Sequence, residues 1–127
     1  MTKRLVISAV LLLFCFSLCF VSYFSLNFMT DELKNQLEAV CFHLEEKEFQ
    51  KAFEQSEITN QKWEKFRPVM AIFLEHDAIE GISVDIPTIK NLSNEKSADE
   101  AFELCQKAIN SLKEIMEEQK ISIANIL

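Results

Sequence analysis

Apolar and polar positions divide the chain into two parts. The run from Leu5 to Phe28 contains no charged residue, no proline and no glycine. As a helix rising about 1.5 Å per residue it is about 36 Å long, enough to cross a hydrocarbon core of roughly 30 Å with some tilt. After Phe28, apolar residues recur every three or four positions, which is the period of a helix with one buried face. The pattern predicts a transmembrane helix followed by further helices.

Four apolar stripes follow the membrane segment, and each predicts one amphipathic helix. They comprise Leu33, Leu37, Val40, Cys41 and Leu44; Phe49, Ala52, Phe53, Ser56, Asn60, Trp63, Phe66, Met70 and Phe73; Ile79, Ile82, Ile86, Ile89 and Leu92; and Ala101, Leu104, Cys105, Ala108, Leu112, Ile115 and Met116. Short polar stretches separate them, as between antiparallel neighbours. We therefore expect an all-α protein, with an N-terminal transmembrane helix and a small antiparallel bundle of two helical hairpins.

The first two helix boundaries rest on local signals. Thr30 is a candidate N-cap for the first helix after the membrane, although that helix could also continue the membrane helix without a break. The polar residues 45–48 predict a turn. Pro68 lacks a backbone donor and crowds the carbonyl of Glu64, so we expect a kink or break there. His76 is expected to end the second helix, where a histidine interacts favourably with the helix dipole.

The second hairpin carries further signals. Gly81 and Pro87 predict a turn over residues 77–84, followed by a helix that Asp85 caps. The segment Ser97-Ala98-Asp99-Glu100 is a capping box that starts the last helix, which we expect to run to about Gln119. The apolar residues 121–127 are then expected to fold back against the bundle.

The two hairpins echo each other weakly. The segments 44–54 and 92–103 both contain a helix end, a polar turn and an opening Ala-Phe-Glu. This echo resembles tetratricopeptide-like arrays, but such arrays usually need three repeats, so a compact four-helix bundle is favoured.

The apolar run predicts a retained anchor, and hence a signal anchor over residues 1–29 and an extracytoplasmic domain over residues 30–127. It is longer than the roughly 7–15 apolar residues of a cleaved signal peptide, and the bulky Tyr23 and Phe24 stand where a cleavage site needs small residues. Lys3 and Arg4 keep the N-terminus in the cytoplasm by the positive-inside rule. The alternative is a secreted protein whose signal peptide is removed.

The membrane segment has two different faces. Phe16, Phe20, Phe24 and Phe28 form one stripe, and small residues occupy roughly the opposite side. The small residues are Ser8, Cys15, Cys19 and Ser22. They are candidate packing positions for another membrane helix, because small side chains allow close approach. The alternative is a single helix surrounded by lipid through residues 5–28.

Charge then narrows the candidate partners. The chain has 20 acidic and 13 basic residues, for a formal net charge of −7. Because Lys3 and Arg4 precede the membrane segment, the part after it keeps 11 basic residues against all 20 acidic ones, a formal charge of −9. Such a domain is not expected to bind nucleic acid.

Cysteine and histidine residues carry candidate chemistry, each with a simpler structural interpretation. Cys41 and Cys105 could form a disulfide outside the cytoplasm, or remain free thiols on apolar faces. With His43 and His76 they could be a zinc set, but the spacing fits no ligand pattern. His76, between two carboxylates, is a candidate base or pH sensor. We expect no catalytic residue, cofactor or metal site.

Trp63 is interpreted as a core anchor whose indole N–H has one acceptor, with a ligand platform as the alternative. It also belongs to a set of residues through which the chain resembles a family of short bacterial proteins classified only as a domain of unknown function. That set is Lys62-Trp63, Phe73-Leu74-Glu75-His76, Ile79, Ala101 and Asn125-Ile126-Leu127.

The resemblance implies a basic start, one membrane span and about a hundred helical residues, mostly in Gram-positive anaerobes. It implies no catalytic residue, and it suggests a multi-pass membrane protein as a partner. Pro87 departs from the unbroken third helix that the family implies.

Three hypotheses of function follow. The first is a non-enzymatic, membrane-tethered helical interaction or scaffold module on the outer face of the cytoplasmic membrane. The second is a small extracytoplasmic sensor that binds a ligand through His76 or Trp63. The third is a hydrolase built on His76 and nearby carboxylates, for which no nucleophile stands at motif spacing.

Overall fold

The computed structural model describes residues 2–126. Within that range the chain forms four α-helices and no strand: α1 (Thr2–Glu45), α2 (Phe49–Phe73), α3 (His76–Leu92) and α4 (Ala98–Ile126). The prediction of an all-α protein with a long apolar helix at its start is confirmed.

Helix α1 runs through the apolar run and the first amphipathic stripe without interruption. Thr30 lies in the helix interior, fully buried, and its hydroxyl donates to the carbonyl of Leu26 at 2.7 Å. Since this internal bond satisfies the hydroxyl, Thr30 has no need to cap a helix end. The N-cap prediction is therefore wrong, and the alternative of one continuous helix is confirmed.

The turn between α1 and α2 falls where the polar residues predict it. Lys47 has a φ of 58°, in the left-handed region. The Glu48 N–H donates to the His43 carbonyl at 2.8 Å, and the Lys47 N–H donates to the Leu44 carbonyl at 3.2 Å. These two bonds form a Schellman motif, in which lysine occupies the position that glycine usually takes.

Helix α2 passes through Pro68 without ending, so the expected break is absent. A proline inside a helix costs about 3 kcal/mol. Trp63 on one side of it and Met70 on the other are fully buried, and burying a large side chain contributes roughly 1.5–3 kcal/mol. Packing on both sides thus offsets the cost of the proline. The helix ends at Phe73 because the next residue, Leu74, has an extended backbone.

Helix α3 begins at His76 and is also continuous, with Pro87 in its interior. The predicted turn over residues 77–84 is wrong, and Asp85 lies within the helix rather than capping it. Ile86 and Ile89, on either side of the proline, are both 0% exposed. The physical reason is the same as for α2: a buried stripe holds the helix together across the missing hydrogen bond.

Helix α4 begins at Ala98, as the capping box predicts. The Ser97 N–H, however, donates to Asn94 Oδ1 at 3.0 Å, so Asn94 takes the role expected of Glu100. The helix continues to Ile126 instead of ending near Gln119. Ile121 is 61% exposed, which contradicts the expected fold-back of the apolar tail at that residue. The side chains of Ile123 and Ile126, and the whole of Leu127, lie outside what the structure describes.

One core joins the four helices. Helix α1 packs against α2 and α4, and α3 packs against the same two helices. The fully buried large side chains include Leu33, Leu37, Val40, Trp63, Met70, Ile86, Ile89 and Leu112. Four buried hydroxyls each donate to the carbonyl four residues earlier, so they cost the core little. These belong to Thr30, Ser56, Thr59 and Ser93.

Candidate functional site

The first part of α1 stands apart from the other helices. Every residue from 2 to 21 is exposed, and Leu26 is the first buried residue along the chain. Twenty helical residues are about 30 Å long, which matches the thickness of a bilayer hydrocarbon core. Within residues 2–126, α1 is the one helix long and apolar enough to cross a membrane, a length and composition that signal sequences and buried helices of soluble proteins share. We call residues 2–21 the free segment.

The small residues of the free segment share a face with the core of the protein. Successive helical residues are rotated by about 100° about the helix axis, so Leu26 and Leu44 point in the same direction. Ser8, Cys15 and Cys19 point within about 20° of that direction. Both leucines are buried against the neighbouring helices. The three small residues are themselves exposed, and Ser22 is half-buried. The candidate packing face of the free segment therefore lies on the same side of α1 as the other helices.

Two adjacent residues of α2 bind two different helices. The Lys62 ammonium forms a salt bridge with Glu32 of α1. Trp63 is fully buried, and its indole N–H donates to Ser83 Oγ of α3 at 2.9 Å. The Lys62 ammonium also lowers the pKa of Glu32, because it stabilises the charged carboxylate. Trp63 is thus placed in the core with one acceptor, and its rings are closed to solvent.

His76 lies outside the core. Its side chain is 82% exposed, and Nε2 is 3.9 Å from Glu80 Oε1, one helical turn further along. It begins α3 rather than ending α2, so the predicted interaction with a helix C-terminus is wrong. His76 and Ser83, the partner of Trp63, are seven residues apart on α3, or about 10 Å along its axis. The structure does not bring the two candidate ligand residues together.

Cys41 of α1 and Cys105 of α4 are both buried free thiols. The Cys105 thiol donates to the Leu37 carbonyl at 3.1 Å, and the amide of Gln106 lies 3.7 Å from Cys41 Sγ. A hydrogen bond with Cys41 and burial both raise the pKa of Cys105 above its usual range. Cys105 is therefore a protonated thiol of low reactivity.

The four residues of the candidate zinc set are divided. His43 contacts Glu48 at the α1–α2 turn, with 3.4 Å between Nδ1 and Oε1, while His76 lies at the start of α3. Within residues 2–126, no three His, Cys, Asp or Glu side chains are arranged to hold a metal ion.

The surface has shallow concavities that do not involve the candidate ligand residues. One of about 470 Å³ lies where the α1–α2 and α3–α4 connections meet, lined by Lys47, Phe49 and Phe102 among others. Another of about 360 Å³ lies between α3 and α4 and includes Asp85 and Lys107. Partial burial raises the pKa of Asp85, and the Lys107 ammonium opposes that shift. Neither Trp63 nor His76 lines these concavities.

A family model matches residues 20–126, a range that begins at the end of the free segment and covers all the packed helices. The model is described as a domain of unknown function, DUF4363. The chain belongs to the DUF4363 family. No curated protein and no solved structure matches the chain.

The residues through which the chain resembles a family of unknown function have structural positions within the DUF4363 range. Lys62 and Trp63 connect three helices, and Phe73 to His76 form the α2–α3 connection. Ile79 and Ala101 are buried in the core. Lys62, Trp63, Ile79 and Ala101 therefore hold helices together, whereas His76 is exposed at the start of α3. In the DUF4363 range the sequence pattern missed the pairing of Ser83 with Trp63 and of Glu32 with Lys62, because the pairing of helices is not visible in a single periodic stripe.

Proposed function

We propose that this protein is a non-enzymatic, membrane-tethered helical module. Its free segment crosses the cytoplasmic membrane of a bacterium, and its packed helices lie on the outer face. There it acts by contact with another membrane protein. The observation that carries this proposal is the free segment, residues 2–21, which are all exposed and span about the thickness of a bilayer.

Retention of the segment is supported by the continuity of α1. Cleavage near residues 23–30 would cut inside an unbroken helix. It would also separate Leu26, which is 2% exposed, from the core it belongs to. The match to the DUF4363 family likewise includes residues 20–30. A secreted form would lose core contacts, so the anchored form is the better proposal.

The packed helices are best described as a closed antiparallel bundle of two hairpins. The contact of α1 with α4 supports closure, since it returns the chain to its first helix. An open tetratricopeptide-like stack would leave the first and fourth helices apart. The two hairpins therefore support a scaffold with a single core.

Orientation follows from the charges that flank the free segment. Lys3 and Arg4 precede it, and Lys34 is the one Lys or Arg among the twenty residues that follow it, so the helices are proposed to lie outside. The test is protease added to intact spheroplasts that carry the full chain. We expect digestion of the helices without lysis. Protection before lysis and digestion after it would reverse the orientation.

Contact with a partner is favoured over a sensor role because the two candidate ligand residues are separated. Trp63 is closed to solvent and His76 lies on the outside. The matching experiment is crosslinking in native membranes, followed by identification of the proteins attached to the chain. We expect a membrane protein, and a chain that crosslinks to nothing but itself would contradict the proposal.

A further inference from the structure

Exposed apolar side chains are unevenly distributed over the packed helices. Beyond residue 21, the described part of the chain exposes nine large hydrophobic side chains. Three of them, Phe42, Ile58 and Val84, are scattered. The other six are Phe24, Phe28, Val69, Ile72, Phe73 and Ile121. We call these six the interfacial belt.

The contacts between α1 and α2 place the α2 members of the belt next to the free segment. Gln36 contacts Gln55, and Glu32 contacts Lys62, so the two helices run in opposite directions. Phe73 is eleven residues beyond Lys62, and Val21 is eleven residues before Glu32. Because both helices rise equally per residue, Phe73 lies at the level of Val21, where the free segment ends.

The contacts between α1 and α4 independently place Ile121 of α4 at the same level along α1. Ala98 lines a cavity with Leu44, and Cys105 binds the carbonyl of Leu37, so these helices also run in opposite directions. Ile121 is sixteen residues beyond Cys105, and Val21 is sixteen residues before Leu37. Ile121 therefore lies at the level of Val21 as well. Three helices present exposed apolar side chains at the point where the anchor leaves the bundle.

We propose that the interfacial belt is immersed in the boundary between head groups and acyl chains, so that the bundle rests directly on the bilayer. The belt extends along α1 from the level of Val21 to Phe28, which is seven residues or about 10 Å. Apolar faces of membrane-surface helices are buried to a depth of about 5–10 Å, so the dimension fits. This inference rests on the proposed membrane tether and adds a second lipid-contacting surface to it.

Lipid is the favoured occupant because the belt continues the apolar surface of the free segment. Phe20 and Val21, the last exposed apolar residues of that segment, are 51% and 62% exposed and adjoin Phe24. Charge at this end does not favour anionic lipid, because the concavity between α3 and α4 there is lined by five acidic side chains and one basic one, Lys107. The contact therefore depends on apolar burial, and it should form on zwitterionic lipid and resist salt.

The test uses the full chain in phosphatidylcholine nanodiscs whose acyl chains carry bromine, which quenches tryptophan fluorescence on contact. Trp63 supplies a constant buried background, measured in the unchanged protein. Phe73→Trp and Ile72→Trp report on the belt, and both positions are exposed enough to accept the larger ring. Phe42→Trp is the matched control, since it is 55% exposed at the opposite end of α1. Phe14→Trp reports on the free segment itself.

We expect bromine to quench the added fluorescence of Phe73→Trp, Ile72→Trp and Phe14→Trp, with blue-shifted emission, and to leave that of Phe42→Trp unchanged. Quenching of Phe14→Trp without quenching at either belt position would overturn the belt proposal and leave the membrane tether intact. A protein partner would then be the expected occupant of the belt. An unquenched Phe14→Trp would remove the membrane tether and overturn both proposals.

Discussion

The indole Nε1 of Trp63 lies 2.9 Å from Ser83 Oγ, and this hydrogen bond joins α2 to α3 inside the core. The next residue back, Lys62, joins α2 to α1 through Glu32. One turn of α2 therefore fixes the positions of two neighbouring helices. The first prediction tests the energetic weight of this turn.

Trp63→Ala should lower the free energy of unfolding by about 3–5 kcal/mol, because a fully buried large aromatic side chain is removed. Ser83→Ala should cost less, about 1–3 kcal/mol, since it leaves the indole N–H buried without its acceptor. Thermal and denaturant unfolding of the purified protein measures both. Val84→Ala on the exposed side of α3 is the control, with a small expected change. Equal stability of all three variants would place Trp63 outside the core.

The turn at Lys47 offers a stabilising change. Its φ of 58° costs an ordinary residue free energy that glycine does not pay. Lys47→Gly should therefore raise the free energy of unfolding by roughly 0.5–1 kcal/mol. This is the net gain once the entropy that glycine adds to the unfolded chain is subtracted. Glu46→Gly is the matched control, where no positive φ is relieved and a loss is expected. A loss of stability in both variants would contradict the Schellman geometry.

Asp85 gives a pH dependence. Partial burial raises its pKa in the folded protein, so the folded state binds the proton more tightly than the unfolded state does. Above the pKa of Asp85 in the folded protein, the buried charge lowers the free energy of unfolding. This loss disappears as the pH falls below 3.8, the ordinary pKa of the carboxyl, because Asp85 is then protonated in both states. Asp85→Asn should raise stability at neutral pH, with a gain that shrinks on acidification. Asp99→Asn, at an exposed position on α4, is the comparison, and the same gain in both variants would contradict the effect of burial.

The small-residue face of the free segment makes the partner prediction. Replacing Cys15 and Cys19 with leucine should weaken co-purification of a membrane partner and leave insertion intact, because the larger side chains prevent close approach. Replacing Phe20 and Phe24 with leucine should change neither. Quantitative mass spectrometry of the purified membrane complexes measures the difference. If both pairs leave the co-purifying proteins unaltered, the partner contacts only the helices outside the membrane.

Periodicity predicted the four apolar stripes that pack together and most of their buried faces. It left open whether the membrane helix is separate, and in the structure that helix and the first stripe form the single helix α1. It placed the α1–α2 turn and the start of α4 correctly. It failed where a local signal competed with packing. Pro87 and Thr30 both favour a helix boundary by themselves, and in the folded chain both lie inside helices that buried neighbours hold together.

The candidate site was less predictable than the fold. The exposed start of α1 follows from its apolar composition, but its end at residue 21 depends on where α2 stops. The pairings of Lys62 with Glu32 and of Trp63 with Ser83 depend on the registers of three helices. A sequence contains the stripes but not their relative offsets, so these contacts and the level of Ile121 became visible only in the structure.

The continuity of α1 through Thr30 has a mechanical consequence. No helix end separates the free segment from the part of α1 in the core, so a tilt or rotation of one is transmitted to the other. A longer apolar segment tilts more in a thinner membrane, and here that tilt would turn the whole bundle relative to the membrane plane. In a chain with a flexible linker the anchor would set only the distance from the bilayer. With the proposed membrane tether, bilayer thickness in this protein also sets the direction in which the packed helices face.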